Sequence, residues 1–262
     1  MSKAVRIVAM IVAVIVLLFA GFQVANYFDQ RIEDNAVHDE LSAIADSPFD
    51  SDELDGDYIL EEIDVQNKLY NYTRRLFGKA APGKMPISGN QANSSIVNAQ
   101  KRKINFPALK KKNPQIVAWV SIPNTPVDYA VVQGKDNNYY LTHDALKRRS
   151  SGGSIVLDSK LKKDFSSSDS ILYGHQMRDK SMFGSLARYR NKNFRDKHQY
   201  IYVYTPTATK KYKVSSTFRT TKSDLKPDLS KTKTLTLVTC DGSYAHYVVR
   251  AKLVSSKKPG KK

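Results

Sequence analysis

From Ile116 onward the chain repeats one pattern eight times: a short run rich in β-branched and aromatic residues, followed by a polar break. The runs are Ile116–Ile122, Val127–Gln133, Gly153–Asp158, Ser170–Tyr173, Tyr200–Tyr204, Lys211–Phe218, Thr234–Cys240 and Tyr247–Leu253. Breaks such as Pro123-Asn124-Thr125 and Gly134-Lys135-Asp136-Asn137 carry the residue types that turns demand. Only Phe106–Asn113 and Phe183–Tyr189 read as short helices. Many short strands with few helices cannot make a parallel α/β sheet, which needs a crossover helix between strands. The expectation is a mainly β domain over residues 101–257, closed into a barrel, with enough chain to bury a core.

The first segment is of another kind. Ala4 to Ala25 is apolar except for Arg6 near its start and Gln23 near its end. Its length approaches the roughly 20 residues a bilayer requires. Lys3 and Arg6 precede the segment and acidic residues follow it, so the positive-inside rule puts the N-terminus in the cytoplasm and the remainder outside. A cleaved signal peptide is the alternative. Residues 1–25 are therefore read as a single-pass transmembrane anchor. Residues 26–100 read as an acidic extracellular stalk and linker, partly disordered, with possible helix from Tyr58 to Phe77 and a flexible stretch from Pro82 to Ser95. Residues 258–262 form a basic tail.

Charge inverts after the linker: residues 101–262 hold 34 Lys and Arg against 11 Asp and Glu. These cations are spread over turns and strand edges rather than gathered on one motif, which argues against a nucleic-acid partner. Attraction to an anionic wall or lipid surface fits the topology better.

Cys240 is the sole cysteine, so no disulfide can form within the chain. A buried core residue, an intermolecular crosslink or a nucleophile remain. Cys240 ends a strand-forming run and meets Asp241-Gly242-Ser243, a place where a side chain can reach a groove. A nucleophilic thiol needs a partner that promotes its thiolate, most often histidine. His175 follows the apolar run Ile171-Leu172-Tyr173 and Gly174, a placement like that of Cys240. His38 falls in the acidic stalk, where solvent exposure is expected, and His143 reads as a loop or core histidine. His198 sits in a polar stretch, and His246 at the entry of the last strand. No Cys/His spacing suits zinc, Asp158, Asp164 and Asp169 read as turn residues, and no Gly-rich phosphate loop occurs, so neither metal nor cofactor is expected.

Thr236-Leu237-Val238-Thr239-Cys240 resembles the TLxTC signature of sortases, the membrane-anchored cysteine transpeptidases of Gram-positive bacteria. Tyr173-Gly174-His175-Gln176-Met177, with Met182-Phe183 and Leu186, is similar to the histidine motif of class B members. Trp119-Val120-Ser121-Ile122-Pro123, Tyr129 to Gly134, Asn138-Tyr139-Tyr140-Leu141 and Gly153 to Asp158 match in the same order. The resemblance implies an eight-stranded sortase-type β-barrel behind a transmembrane helix and stalk. It also implies that Cys240 attacks a carbonyl in the C-terminal sorting motif of a secreted protein, with His175 as acid/base. The resulting thioester passes to an amine of peptidoglycan precursor or a pilin lysine. Thr239 and Asp241, flanking Cys240, are expected to touch substrate.

The family also places an arginine on the last strand. Arg250 is the only arginine after Cys240, although laying Val248 to Leu253 on the usual strand brings that position nearer His246. Four residues along a strand is about 13 Å, so one site cannot hold both. A fixed cationic fork suits oxyanion contact, which favours Arg250 as the third catalytic residue. Class B members carry a long helical insertion before the cysteine strand, where this chain has only Thr220 to Lys233. An NPQTN-like motif, an LPxTG-like motif or a pilin substrate all stay open. A cysteine protease using water as acceptor and a non-catalytic basic wall-binding module are the competing readings.

Overall fold

The structure, a computed structural model, describes residues 3–47, 99, 102–221, 223–228, 232–240 and 245–258. Its strands are β1 (Ile116–Ser121), β2 (Asp128–Val132), β3 (Ile155–Leu157), β4 (Asp169–Tyr173), β5 (Tyr200–Tyr204), β6 (Thr209–Thr220), β7 (Thr234–Cys240) and β8 (His246–Lys257). They close into a barrel in the order β1-β2-β3-β4-β7-β8-β6-β5. Closure leaves no unpaired edge, which is how so many short strands are satisfied without covering layers. Two of the contacts, β2 with β3 and β4 with β7, are parallel; the remaining neighbours run antiparallel. All eight expected strands are present, with ends shifted by a few residues.

Alternation along the strands sorts the side chains. Leu157, Leu172, Ile201, Val203, Leu237, Val249 and Ala251 fill the barrel interior. The outer face of β1, carrying Ile116 and Trp119, is buried in a second cluster under helical segments, which is why β1 is buried throughout rather than alternating. The helices are α1 (Lys3–Ala45), α2 (Phe106–Lys112) and α3 (Lys192–Lys197), with 3-10 segments at Tyr139–Leu141 and Gly184–Arg190. Asn105 caps α2 by accepting from the Ala108 amide, and Pro107 at the first turn lacks only a donor that the helix would leave unused. The sequence gives α3 a cap of the same kind, Asn191 accepting from Asn193 and Phe194, but six residues are too few to show a periodic pattern.

α1 departs from expectation. Its first part exposes Met10, Leu17, Phe22 and Phe28 among others and is long and apolar enough to cross a membrane, with a mean hydropathy of 2.3 in its most apolar window. The same helix then continues through residues 29–45, a stretch expected to begin a partly disordered stalk, and docks on the barrel. Val37, Leu41, Ile44 and Ala45 share one stripe and join the cluster that holds Trp119 and Leu109. His38 packs its ring 4.8 Å from that of Tyr129 rather than standing in solvent. The acidic average of this stretch hid a four-residue apolar stripe. The possible helix at 58–77 and the flexible stretch at 82–95 lie outside the described residues.

Candidate active site

Register brings the two sequence-predicted catalytic residues to one level. β4 and β7 run parallel with Tyr173 opposite Val238, and the Gly174 amide carries the ladder on by donating to the Val238 carbonyl at 3.1 Å. Two residues beyond each partner stand His175 and Cys240, just past the last paired residues of the two strands. On its other side β7 pairs antiparallel with β8, and Cys240 stands directly opposite His246. A row His175–Cys240–His246 thus crosses three adjacent strands.

Gly174 is required by packing. A Cβ there would come within 2.6 Å of Ile155 Cδ1 and 2.8 Å of the Phe183 ring. His175 is half-buried, and its Nε2 lies 2.7 Å from the Leu141 carbonyl oxygen. A carbonyl only accepts, so Nε2 carries the hydrogen and Nδ1 is left for proton transfer. The Phe183 amide donates to the His175 carbonyl, and Gln176 bridges to Met182, so the loop after His175 is a closed hairpin. Leu141 belongs to the Asn138-Tyr139-Tyr140-Leu141 motif, and its service to His175 was not legible there because the contact spans 34 residues.

The sheet face that carries this row continues as an apolar floor. Ile171, Val238 and Val248 cluster there, with Tyr173, Leu161, Phe218 and Leu225 around them. Tyr173 donates its hydroxyl to Asp158 at 3.1 Å; burial first, and then that carboxylate, push its pKa well above the usual phenol range, so it stays neutral.

Arg250 lies elsewhere on this face. It stands opposite Thr236, four residues along β8 from His246. Its Nε donates to Thr236 Oγ1 at 3.2 Å, one terminal nitrogen donates to the Lys226 carbonyl at 2.9 Å, and that nitrogen is 3.9 Å from Asp169. Asp169, expected as a turn residue, is instead a fully buried β4 carboxylate that also accepts from Thr236 Oγ1 and the Asp228 amide. Thr239 faces the interior opposite Tyr247 and is 1% exposed, so only its backbone is available to a bound peptide. Asp241 lies outside the described residues. His143 stacks on Tyr139 and His198 on Phe194, each also bonded to a nearby backbone carbonyl, which accounts for both structurally.

The family model for the sortase domain matches residues 120–254, more than half of the chain. The chain belongs to the sortase family. Sortase B of Listeria monocytogenes is 41% identical over 86 residues, covering 33% of this chain and 35% of that protein. Sortase B of Staphylococcus aureus is 34% identical over 119 residues, covering 45% of this chain and 49% of that protein. The matches thus span from about a third to half the length of these curated relatives. Among solved structures, Clostridium perfringens sortase B is 28% identical with a TM-score of 0.53, covering 57% of this chain and 99% of the other. The Staphylococcus aureus sortase B crystal structure gives 25%, 0.55, 63% and 99%. The relatives place this sortase in class B, and the closed eight-stranded barrel is theirs too. Where class B members were expected to carry a long helical insertion, the described residues 223–228 of this sortase contain no helix and are tied by Lys226 and Asp228 to Arg250 and Asp169.

Proposed function

We propose that this sortase is a membrane-anchored cysteine transpeptidase acting on the C-terminal sorting signal of secreted proteins. The observation that carries the reading is that His175 and Cys240 each follow by two residues the last pair, Tyr173 and Val238, of two adjacent parallel strands, at one end of the apolar floor formed by Ile171, Val238 and Val248. That floor suits an extended peptide with apolar side chains. The Cys240 thiolate attacks the peptide carbonyl carbon, forming a carbon–sulfur bond and placing the negative charge on oxygen. The carbon–nitrogen bond then breaks as the His175 imidazolium gives its proton to the leaving amine nitrogen. An acceptor amine attacks the thioester and gives a proton back to His175, and the carbon–sulfur bond breaks to return the thiolate. Peptidoglycan precursor and a pilin lysine both supply such an amine. Thr239, through its backbone, and Asp241 would contribute to the same end of the groove. The apolar part of α1 acts as the anchor, with its N-terminus cytoplasmic and the barrel outside the cell.

Incubating the protein with peptides bearing NPQTN- or LPxTG-type motifs, with and without an added amine, tests this directly. Formation of the amide with the added amine is expected. Hydrolysis that the amine neither diverts nor accelerates would instead identify a protease.

A further inference from the structure

We propose that the loop at residues 147–151 and the turn at residues 178–181 form a docking face for anionic lipid headgroups where α1 leaves the barrel; the inference rests on reading α1 as a membrane anchor. The contacts of α1 follow one order along its length. Near its C-terminal end Asp46 pairs with Arg102 at 2.7 Å and lines one cleft with Pro123, Asn124 and Thr125. Toward the N-terminus His38 meets Tyr129, and Asp34 then accepts from Ser151 Oγ at 3.4 Å. Last comes Arg31, paired with Asp179 and donating to Ser181 Oγ at 2.9 Å. Residues 29 and 30 are exposed again, and Phe28 ends the exposed apolar stretch. From Phe28 to Arg31 the helix rises only about 4.5 Å. The two loops held by Asp34 and Arg31 are therefore the parts of the barrel set closest to the apolar segment, with no stalk between them.

Those loops are basic. Lys147, Arg148, Arg149, Arg178 and Lys180 are all exposed. The one acid among them, Asp179, is already paired with Arg31, while Arg148 pairs with the buried Asp144 at 3.0 Å. Lys147, Arg149, Arg178 and Lys180 form no ion pair among the described residues. Attraction to an anionic bilayer fades within a Debye length, roughly 10 Å at 0.1 M salt. From Arg31 to Asp46 the helix rises about 22 Å, so the far end of the docked helix lies some two Debye lengths away. Of the many cations spread over this barrel, these five stand where a membrane can draw them. Their contact is weak and salt-sensitive; it orients a barrel that α1 already holds at the surface.

The same two loops hold His175. A bridge between His143 and Arg149 ties the first to the chain around Leu141, whose carbonyl accepts from His175 Nε2. The second is the tip of the hairpin after His175, closed by Gln176 and Met182. Seating this face on headgroups steadies both supports of His175 and keeps that end of the barrel at the bilayer.

The test places the full chain in lipid nanodiscs of neutral phosphatidylcholine, with and without phosphatidylglycerol, and follows amide hydrogen exchange by mass spectrometry. With phosphatidylglycerol at 0.1 M salt, residues 147–151 and 178–181 should exchange on the order of tenfold more slowly. The difference should vanish at 1 M salt, where the Debye length is roughly 3 Å, and residues 123–126 should exchange alike in both lipids. A quadruple variant, Lys147→Gln, Arg149→Gln, Arg178→Gln and Lys180→Gln, spares the Arg148–Asp144 and Arg31–Asp179 pairs. It should lose the lipid difference while its circular dichroism and strand exchange match wild type; if it does not fold, the wild-type lipid and salt comparison decides. Equal exchange in the two lipids, equal slowing at residues 123–126, or a folded variant that keeps the difference overturns the inference. So does slowing of the two loops by inorganic polyphosphate in neutral nanodiscs with none from phosphatidylglycerol, which would assign the face to a soluble polyanion. A full chain that alkaline carbonate strips from vesicles overturns the anchor reading and this inference with it; a retained chain with equal exchange overturns the docking face alone.

Discussion

Leu141 offers His175 a carbonyl, and the position of that carbonyl depends on a glycine 12 residues farther along the chain. Gly153 has φ +58°, and a Cβ on it would stand 2.6 Å from the Leu141 oxygen and 2.7 Å from that of Tyr140. Only glycine meets both demands at once. Gly153→Ala should therefore push the Leu141 carbonyl away from Nε2. Steady-state kinetics should show kcat falling on the order of tenfold or more with KM little changed, since misplacing a proton-transfer group acts on the chemical step; unchanged kcat would separate Gly153 from the site. Gly153 stood within a recognisable motif, yet its reason lies in a contact that no local pattern records. Cys240 and His175 were legible because each ends an apolar run beside a turn, and strand ends are where side chains meet a groove. The placement of Arg250 and His246 along β8 was not, because it depends on the register between β7 and β8. The buried Asp169 beside Arg250 reads as a turn residue until its strand is placed.

At the scale of elements, α1 couples two regions that the sequence treated as separate. Arg31, nearly buried, pairs with Asp179, donates to Ser181 Oγ at 2.9 Å and lies 3.6 Å from Asp34. Asp179 and Ser181 sit in the hairpin that follows His175, and the Met182 amide donates to the Tyr129 hydroxyl at 3.0 Å. The docked end of α1 thus braces the loop after His175 from one side while β2 braces it from the other. Arg31→Ala should cost about 1 kcal/mol, because Asp179 is partly exposed and its pairing is screened. Hydrogen exchange should show faster exchange at residues 176–183 with the barrel strands unaffected. Exchange that rises evenly across the domain would mean that Arg31 supports global stability only. Strand positions were readable from composition because each strand is a local run. This docking was not, since Val37, Leu41 and Ile44 make a stripe only after the helix is assumed, and acidic neighbours argued against assuming it.

Over the whole molecule, a long apolar helix end projects from a strongly basic barrel, with 34 cationic against 11 anionic residues from position 101 onward. Such a distribution draws the domain toward anionic surfaces without specifying a reaction. Removing residues 1–28 while keeping Arg31 and the docked stripe should move the protein from the membrane to the soluble fraction with its acyl-transfer activity retained; continued membrane sedimentation would assign attachment to the basic barrel. In the proposed reaction Cys240 carries the acyl group. Intact-protein and peptide mass spectrometry after mixing the protein with a sorting-motif peptide tests it most directly. A single adduct of the N-terminal peptide fragment on Cys240 is expected, released by hydroxylamine and absent from Cys240→Ala. Peptide cleavage that persists in Cys240→Ala, or an adduct on any other residue, would contradict it.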